Sequence, residues 1–236
     1  MTISEMHTAF KLELDKIDSL QYPSFTVDEI DYWLNRAIRQ FIKTRYSGVN
    51  YKKESFEQTQ KRIDDLRKIV REVTITCTTT GATKPNGYVL TDGFDNAQFT
   101  TDSYWLSLGE EVLITPNDTD IAASRQGVTE ITANDYRFEI DNPYSEYILH
   151  YGVAKPLRLF YNNNIEFISD GTYTVTNAYI RYIKEPTEVD YSTNVSCDDL
   201  AEHTHDEIVL LAVHLALENI EQPRIETYSQ NVATME

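Results

Sequence analysis

Apolar side chains recur at three- and four-residue steps near both ends of the chain and at two-residue steps through its middle. Ile3, Met6, Phe10, Leu14 and Ile17 predict a helix over 3–20. Ile30, Trp33, Leu34, Ala37, Ile38, Phe41 and Ile42 form a full stripe over 27–46, with Arg36, Arg39, Gln40 and Lys43 on the opposite face. A thinner stripe of Phe56, Ile63, Leu66, Ile69 and Val70 predicts a third helix over 53–71. Its polar face carries Glu57–Lys61 and Gln58–Arg62 at four-residue spacing. The last helix, 205–221, holds Ile208, Val209, Leu210, Leu211, Ala212, Val213, Leu215, Ala216 and Leu217, so it must be covered nearly all round. Thr2-x-x-Glu5, Thr26-x-x-Glu29 and Thr204-x-x-Glu207 each have the form of a capping box, and Phe25 and Ile30 stand at staple positions. Pro23, Gly48 and Pro223 punctuate the helices.

From Val73 the period changes to two. Val73–Thr78, 87–90, 104–108, 111–115, 136–140, 147–151, 157–161, 165–168, 173–176 and 179–184 read as short strands. Lys84-Pro-Asn-Gly, Asp92-Gly, Asp141-Asn-Pro, Asn162-Asn-Asn and Asp170-Gly separate them as turns. Leu157–Tyr161 and Ile165–Ile168 form a hairpin over a three-residue Asn loop. The fold class is α+β: a helical bundle from the N-terminal helices and one C-terminal helix, with a large antiparallel insertion, sandwich or barrel-like. The expected divisions are 1–72 helical, 73–190 acidic β domain, 191–222 the helix completing the bundle, and 223–236 an extended arm.

Charge sharpens this division. Residues 1–72 hold 13 Lys/Arg against 12 Asp/Glu, a net +1; residues 73–203 hold 7 against 20, a net −13; residues 204–236 hold 1 against 6, a net −5. Such an acidic middle repels phosphate and excludes a nucleic-acid grip, which needs clustered cations. It either solubilises the surface or lines a path along which DNA slides without sticking. The 16 Tyr and nine Phe exclude global disorder, and the Tyr surplus points to subunit contacts as well as core. Cys77 and Cys197 are the only cysteines and form neither a disulfide framework nor a metal pattern, which suits a reducing compartment. No stretch approaches the ~18 apolar residues of a membrane span, and charges interrupt the first twenty residues, so neither membrane nor secretion signal is expected.

The candidate chemistry is thin. His203, His205 and Asp206, near Asp198, Asp199 and Glu202, offer zinc-ligand types, and a metal hydrolase centred there is one reading. Their spacing matches neither His-Glu-x-x-His nor a zinc finger, and acids at a helix start also serve capping and the helix dipole. His214 sits within an apolar helix and His150 within a strand, each as a lone histidine. Asp118-Thr-Asp120 lacks the Gly and distal Glu of a calcium loop. The Glu110-Glu111 and Asp198-Asp199 pairs are sequence neighbours, which seldom face one reacting bond. There is no Gly-x-Ser-x-Gly, phosphate loop or Gly-x-Gly-x-x-Gly. No catalytic, cofactor or metal residue is assigned, and no enzyme is expected.

Phe25–Tyr46 (FTVDEIDYWLNRAIRQFIKTRY) together with His205–Arg224 (HDEIVLLAVHLALENIEQPR) resembles head-to-tail connector, or adaptor ring, proteins of short-tailed bacteriophages. In particular it is similar to the ring protein below the portal in crAss-like phages. The resemblance covers the helical frame, about a third of the chain. It implies a virion protein made in the bacterial host cytoplasm, with about a dozen copies ringed on a dodecameric portal. The partners it implies are the portal protein, neighbouring copies, and further tail ring or fibre proteins, with the genome passing through without sequence-specific binding. It further implies a C-terminal segment reaching toward the portal; Arg224, Ile225 and Tyr228 are its best contact residues by type. The large β insertion departs from the smaller adaptors. A second reading takes that Tyr-rich insertion as a carbohydrate- or receptor-binding module of a phage tail.

Overall fold

The computed structural model describes residues 1–15, 25–47, 56–99 and 102–219. The chain divides into two compact units, one formed by Met1–Ile69 with Pro186–Glu236 and the other by Val70–Glu185.

The helical unit contains α1 (Ile3–Asp15), α2 (Val27–Tyr46), α3 (Gln60–Leu66) and α5 (His205–Asn219). Helix α2 matches its expected span, and Ile30, Trp33, Leu34, Ala37, Ile38, Phe41 and Ile42 are all buried. Helix α5 packs on α2 and α1. It buries Ile208, Val209, Leu211, Ala212, Val213, Leu215, Ala216 and Leu217, as expected of a helix almost without a polar face. Two capping boxes form. The Thr26 hydroxyl accepts from the Glu29 N–H at 3.4 Å while the Glu29 carboxylate accepts the Thr26 N–H at 2.7 Å. Thr2 and Glu5 repeat the exchange at 3.3 and 2.8 Å.

The third box does not form. A 3₁₀ turn, Glu202–Thr204, runs directly into α5, so Thr204 already lies in a helical turn and not in a cap conformation. Its buried hydroxyl donates to the Ala201 carbonyl at 2.7 Å. The expected helix over 53–71 is also shorter. Phe56–Gln58 is a 3₁₀ turn, Thr59 is extended, and α3 covers only Gln60–Leu66 before the chain turns into a strand at Val70. The stretches 16–20, 53–55 and 220–221 of the expected helices lie outside the described residues.

The β unit is an eight-stranded sheet of β1 (Val70–Thr78), β2 (Gly87–Leu90), β3 (Tyr104–Pro116), β4 (Ser124–Gly127), β5 (Thr129–Glu130), β6 (Leu157–Tyr161), β7 (Asn164–Ile168) and β8 (Tyr173–Lys184). Its order is β4-β3-β8-β1-β2-β7-β6-β5. Every pairing is antiparallel except β5–β6, which is parallel. Two features bend this ribbon into a nearly closed barrel. Strand β1 pairs β8 through Thr76 and then β2 from Cys77, so it turns the corner between two half-sheets. The outermost strands, β4 and β5, are joined through Val128 alone, which brings the two sheet ends together. The interior is filled by Val73, Ile75, Val112, Ile114, Ile165, Phe167, Tyr173, Val175, Ala178, Ile180 and Tyr182.

Several strand boundaries differ from the sequence reading. Segments 104–108 and 111–115 form one thirteen-residue strand, and 173–176 and 179–184 one of twelve. Register shifts between Ser107/Gly109 and Leu113/Ile114 absorb the apparent breaks as bulges. The expected strand at 136–140 is a helix, α4 (Tyr136–Asp141). Tyr136 and Ile140 cap a small second cluster of Tyr147, Leu157, Leu159 and Ile168, on the outer face of β6–β7. Residues 147–151 make turns, with one bridge between His150 and Val153. The β6–β7 loop has two residues, not three: Asn162 and Asn163 both take positive φ (47° and 55°), while Asn164 pairs with Tyr161.

Candidate functional site

In the helical unit one buried polar group joins three helices. Arg45 follows Phe41 and Ile42 on the apolar stripe of α2 and is only 3% exposed. Its Nε donates to Asp65 Oδ2 at 3.0 Å and its Nη2 to Glu207 Oε2 at 2.7 Å, so one guanidinium fastens α2 to α3 and α5. Lys61 Nζ adds a 3.3 Å contact to Glu207, and His203 Nε2 lies 2.9 Å from Asp65 Oδ1. This competition explains the missing third capping box: Glu207 faces a buried arginine instead of its own helix start.

A second polar seam runs along α2. The Asn35 side-chain amide donates to the Val189 carbonyl at 3.0 Å and accepts its N–H at 2.8 Å. Asp31 takes the Tyr191 N–H at 3.0 Å and His7 Nε2 at 2.7 Å, and the His7 and Tyr191 rings lie 4.7 Å apart. Between α2 and the 187–195 segment lies an open groove of about 1280 Å³, whose walls mix Asp28, Asp31 and Glu188 with Arg36 and Lys43. Its charges are of both signs and close at hand, so it offers hydrogen-bonding polarity without a concentrated field.

The β unit hides a different set. Glu166 on β7 accepts the N–H groups of Thr83 and Lys84 at 2.7 and 2.8 Å and the Thr83 hydroxyl at 2.6 Å, fixing the β1–β2 turn. Arg158 on β6 and Glu110 on β3 meet in the interior at 3.5 Å, too long for a hydrogen bond, while Arg158 Nη2 reaches Glu130 at 2.7 Å. The surface of this unit exposes many large apolar side chains: Phe138, Tyr144, Tyr151, Val153, Phe160 and Tyr161.

The residues singled out by sequence fall apart in space. His203 turns to Asp65, whereas buried His205 presents Nδ1 to the Met1 nitrogen at 3.1 Å, and Asp206 is exposed. Burial, then the nearby amino-terminal charge, holds the His205 imidazole below its usual pKa. Among the described residues no three His, Cys, Asp or Glu side chains converge as a metal site. His214 Nε2 is buried without a hydrogen-bond partner among the described residues. Asp118 accepts the Asp120 N–H at 3.1 Å in a local turn. Glu110 takes the Ser107 hydroxyl at 2.6 Å, while Glu111 pairs with Arg125. Cys77 lies in the β unit and Cys197 in the helical unit, and burial pushes both thiols up to about 12. They are unreactive as nucleophiles at neutral pH. Arg224, Ile225 and Tyr228 lie outside the described residues.

Sequence reasoning missed Arg45 and Asp65, although a cation on an apolar helical stripe was the available signal. It also missed Tyr151, whose place before Gly152 in a turn was legible only as a break in a strand.

The polar side chains described above fasten helices and turns, and large aromatics remain on the surface of the β unit. The family model for phage tail ring protein 3/4 matches residues 1–226, and the chain belongs to that family. It is therefore a structural component of a phage tail ring. No curated protein matches the chain.

Proposed function

We propose that copies of this chain form the connector ring between portal and tail and continue the DNA channel. The observation that carries this is the tail ring family match over nearly the whole chain, 1–226. A ring of about a dozen copies needs two different faces on each subunit making one heterologous contact. The net charge of −17 suits a wall past which DNA moves, since phosphate finds few cations to hold it. The C-terminal segment, with Arg224, Ile225 and Tyr228, is assigned to portal docking; Arg and Tyr are the side chains most often found at interface centres. Removing residues 224–236 is expected to leave circular dichroism unchanged and to abolish co-assembly with the portal in negative-stain images. Normal docking by the truncated chain would reject the arm assignment.

A second reading, a carbohydrate-binding tail module, has in its favour the exposed Phe160 and Tyr161 beside three Asn side chains. Binding of the full-length chain on a glycan array would favour it over the connector.

A further inference from the structure

One residue of the β unit pays for its position. Six non-glycine residues have positive φ among the described residues; five are Asn or Asp, and the sixth is Tyr151, at 51°. Asn and Asp tolerate this conformation, whereas a bulky aromatic there is an outlier. Tyr151 is also fully exposed at 103%, so no packing among the described residues offsets the strain. The turn that presents it is firmly built. His150 and Val153 exchange both backbone hydrogen bonds at 3.0 Å, and Gly152 follows at φ 83°. A Cβ on Gly152 would come within 2.7 Å of Ile121, so the turn sits hard against the loop after β3. Tyr144, 91% exposed, and Val153 stand near it in the chain.

The other end of strand β3 carries an aromatic cleft. Strand β3 starts at Tyr104 and ends at Pro116, a span of roughly 40 Å for thirteen residues. The Tyr151 turn lies beyond its Pro116 end. At its Tyr104 end is an aromatic cleft of about 480 Å³, walled by Phe94, Tyr104, Phe160 and Tyr161 and by the Asn162–Asn164 hairpin. Phe94 stacks on Phe160 at 6.3 Å and meets Tyr104 at 4.4 Å, so the walls hold each other. A ring is closed by a contact joining two unlike patches on opposite sides of one subunit. An exposed, conformationally fixed aromatic beyond one end of β3 and an aromatic cleft at the other meet that requirement. We infer that the Tyr151 turn of one copy inserts into the Phe94–Tyr104–Phe160 cleft of the next, so that the β units run head to tail around the ring.

This rests on the chain closing into a ring, and the test separates the two. Tyr151→Asn removes the side chain while fitting the backbone, so the purified full-length variant is expected to melt at the same temperature as the native chain or higher. In negative stain and mass photometry it should form at least tenfold fewer rings at equal concentration. A second variant, Val153→Cys with Asn163→Cys, keeps Tyr151 in place and should give a ladder of disulfide-linked oligomers on oxidation, while either single change gives none. Native rings together with undiminished assembly of Tyr151→Asn, or no ladder from the double variant, would overturn the contact and leave the ring intact. Rings absent from the native chain, with no ladder, would reject both. Loss of glycan-array binding in Phe160→Ala, with ring formation unchanged, would assign the cleft to a sugar and overturn the contact.

Discussion

The two units hold their interiors in register by different means. In the β unit, backbone ladders fix which strand faces which, and a one-residue slip would turn every side chain to the wrong face. Among the described residues of the helical unit no backbone bond links α2, α3 and α5, which come from 27–46, 60–66 and 205–219. Apolar stripes alone allow helices to slide and rotate, and a directional buried network removes that freedom. Arg45 supplies it by bonding Asp65 and Glu207 at once. The β unit's buried charges do another job: Glu166 organises a turn already placed by its strands. The difference shows in the surfaces too. Among the described residues the three most exposed large apolar side chains, Tyr151, Tyr144 and Phe138, all lie in the β unit, whose fold is fixed by backbone.

The sharpest way to break this comparison is to remove the helical fastener. Asp65 is 1% exposed and takes both Arg45 and His203. Asp65→Ala leaves buried positive charge short of its partner and should cost about 3–5 kcal/mol in urea unfolding. Hydrogen exchange should report the loss in 1–69 and 186–219 first. A change below about 1 kcal/mol, or equal deprotection of both units, would mean that apolar packing alone sets the helix register.

A smaller effect sharpens the same point at the helix starts. Thr26 caps α2 through a solvent-exposed box, so Thr26→Ala should cost about 1 kcal/mol by the same measurement. Thr204 has the same sequence signature but no cap geometry, and its hydroxyl is buried against the Ala201 carbonyl. Thr204→Ser, which keeps that hydroxyl, should recover more stability than Thr204→Asp, which has the better capping side chain. The opposite order would restore Thr204 as a cap.

These two threonines mark the boundary of what the chain makes legible. Helix α2 was readable because stripe, cap and stop agree within twenty residues. The third capping box failed because a residue 162 positions away, Arg45, competes for Glu207, and local pattern carries no trace of such a partner. The same holds in the β unit. Alternation identified 157–161, 173–176 and 179–184 as strand material, yet it could not tell a bulge from a break at Gly109, because a bulge is set by the partner strand. Residues 136–140 alternate like a strand but curl into α4, where Tyr136 and Ile140 cover the outer face of β6–β7. Of the surface features, aromatic richness was evident, but the strain at Tyr151 depends on a turn closed by its His150–Val153 bridge.

The least costly change tests how the β unit sets its own register. Asn162 and Asn163 occupy the two positive-φ positions of the β6–β7 turn, and their side chains are exposed. Asn164 is already in the ladder, and its amide caps Leu90 twice, accepting the N–H at 3.1 Å and donating to the carbonyl at 2.9 Å. The three asparagines are therefore unequal, although a three-residue loop would make them alike. Asn163→Gly suits the turn and gives up only a 3.4 Å contact to Asp95, so stability should move by no more than about 0.5 kcal/mol. Asn163→Val, with a branched side chain forced to positive φ, should lose about 1–3 kcal/mol. If instead Asn163→Val is neutral while both glycine and valine at 162 are tolerated, the loop does not hold a two-residue turn. The register of β6 on β7 would then need a fastener of the kind found among the helices.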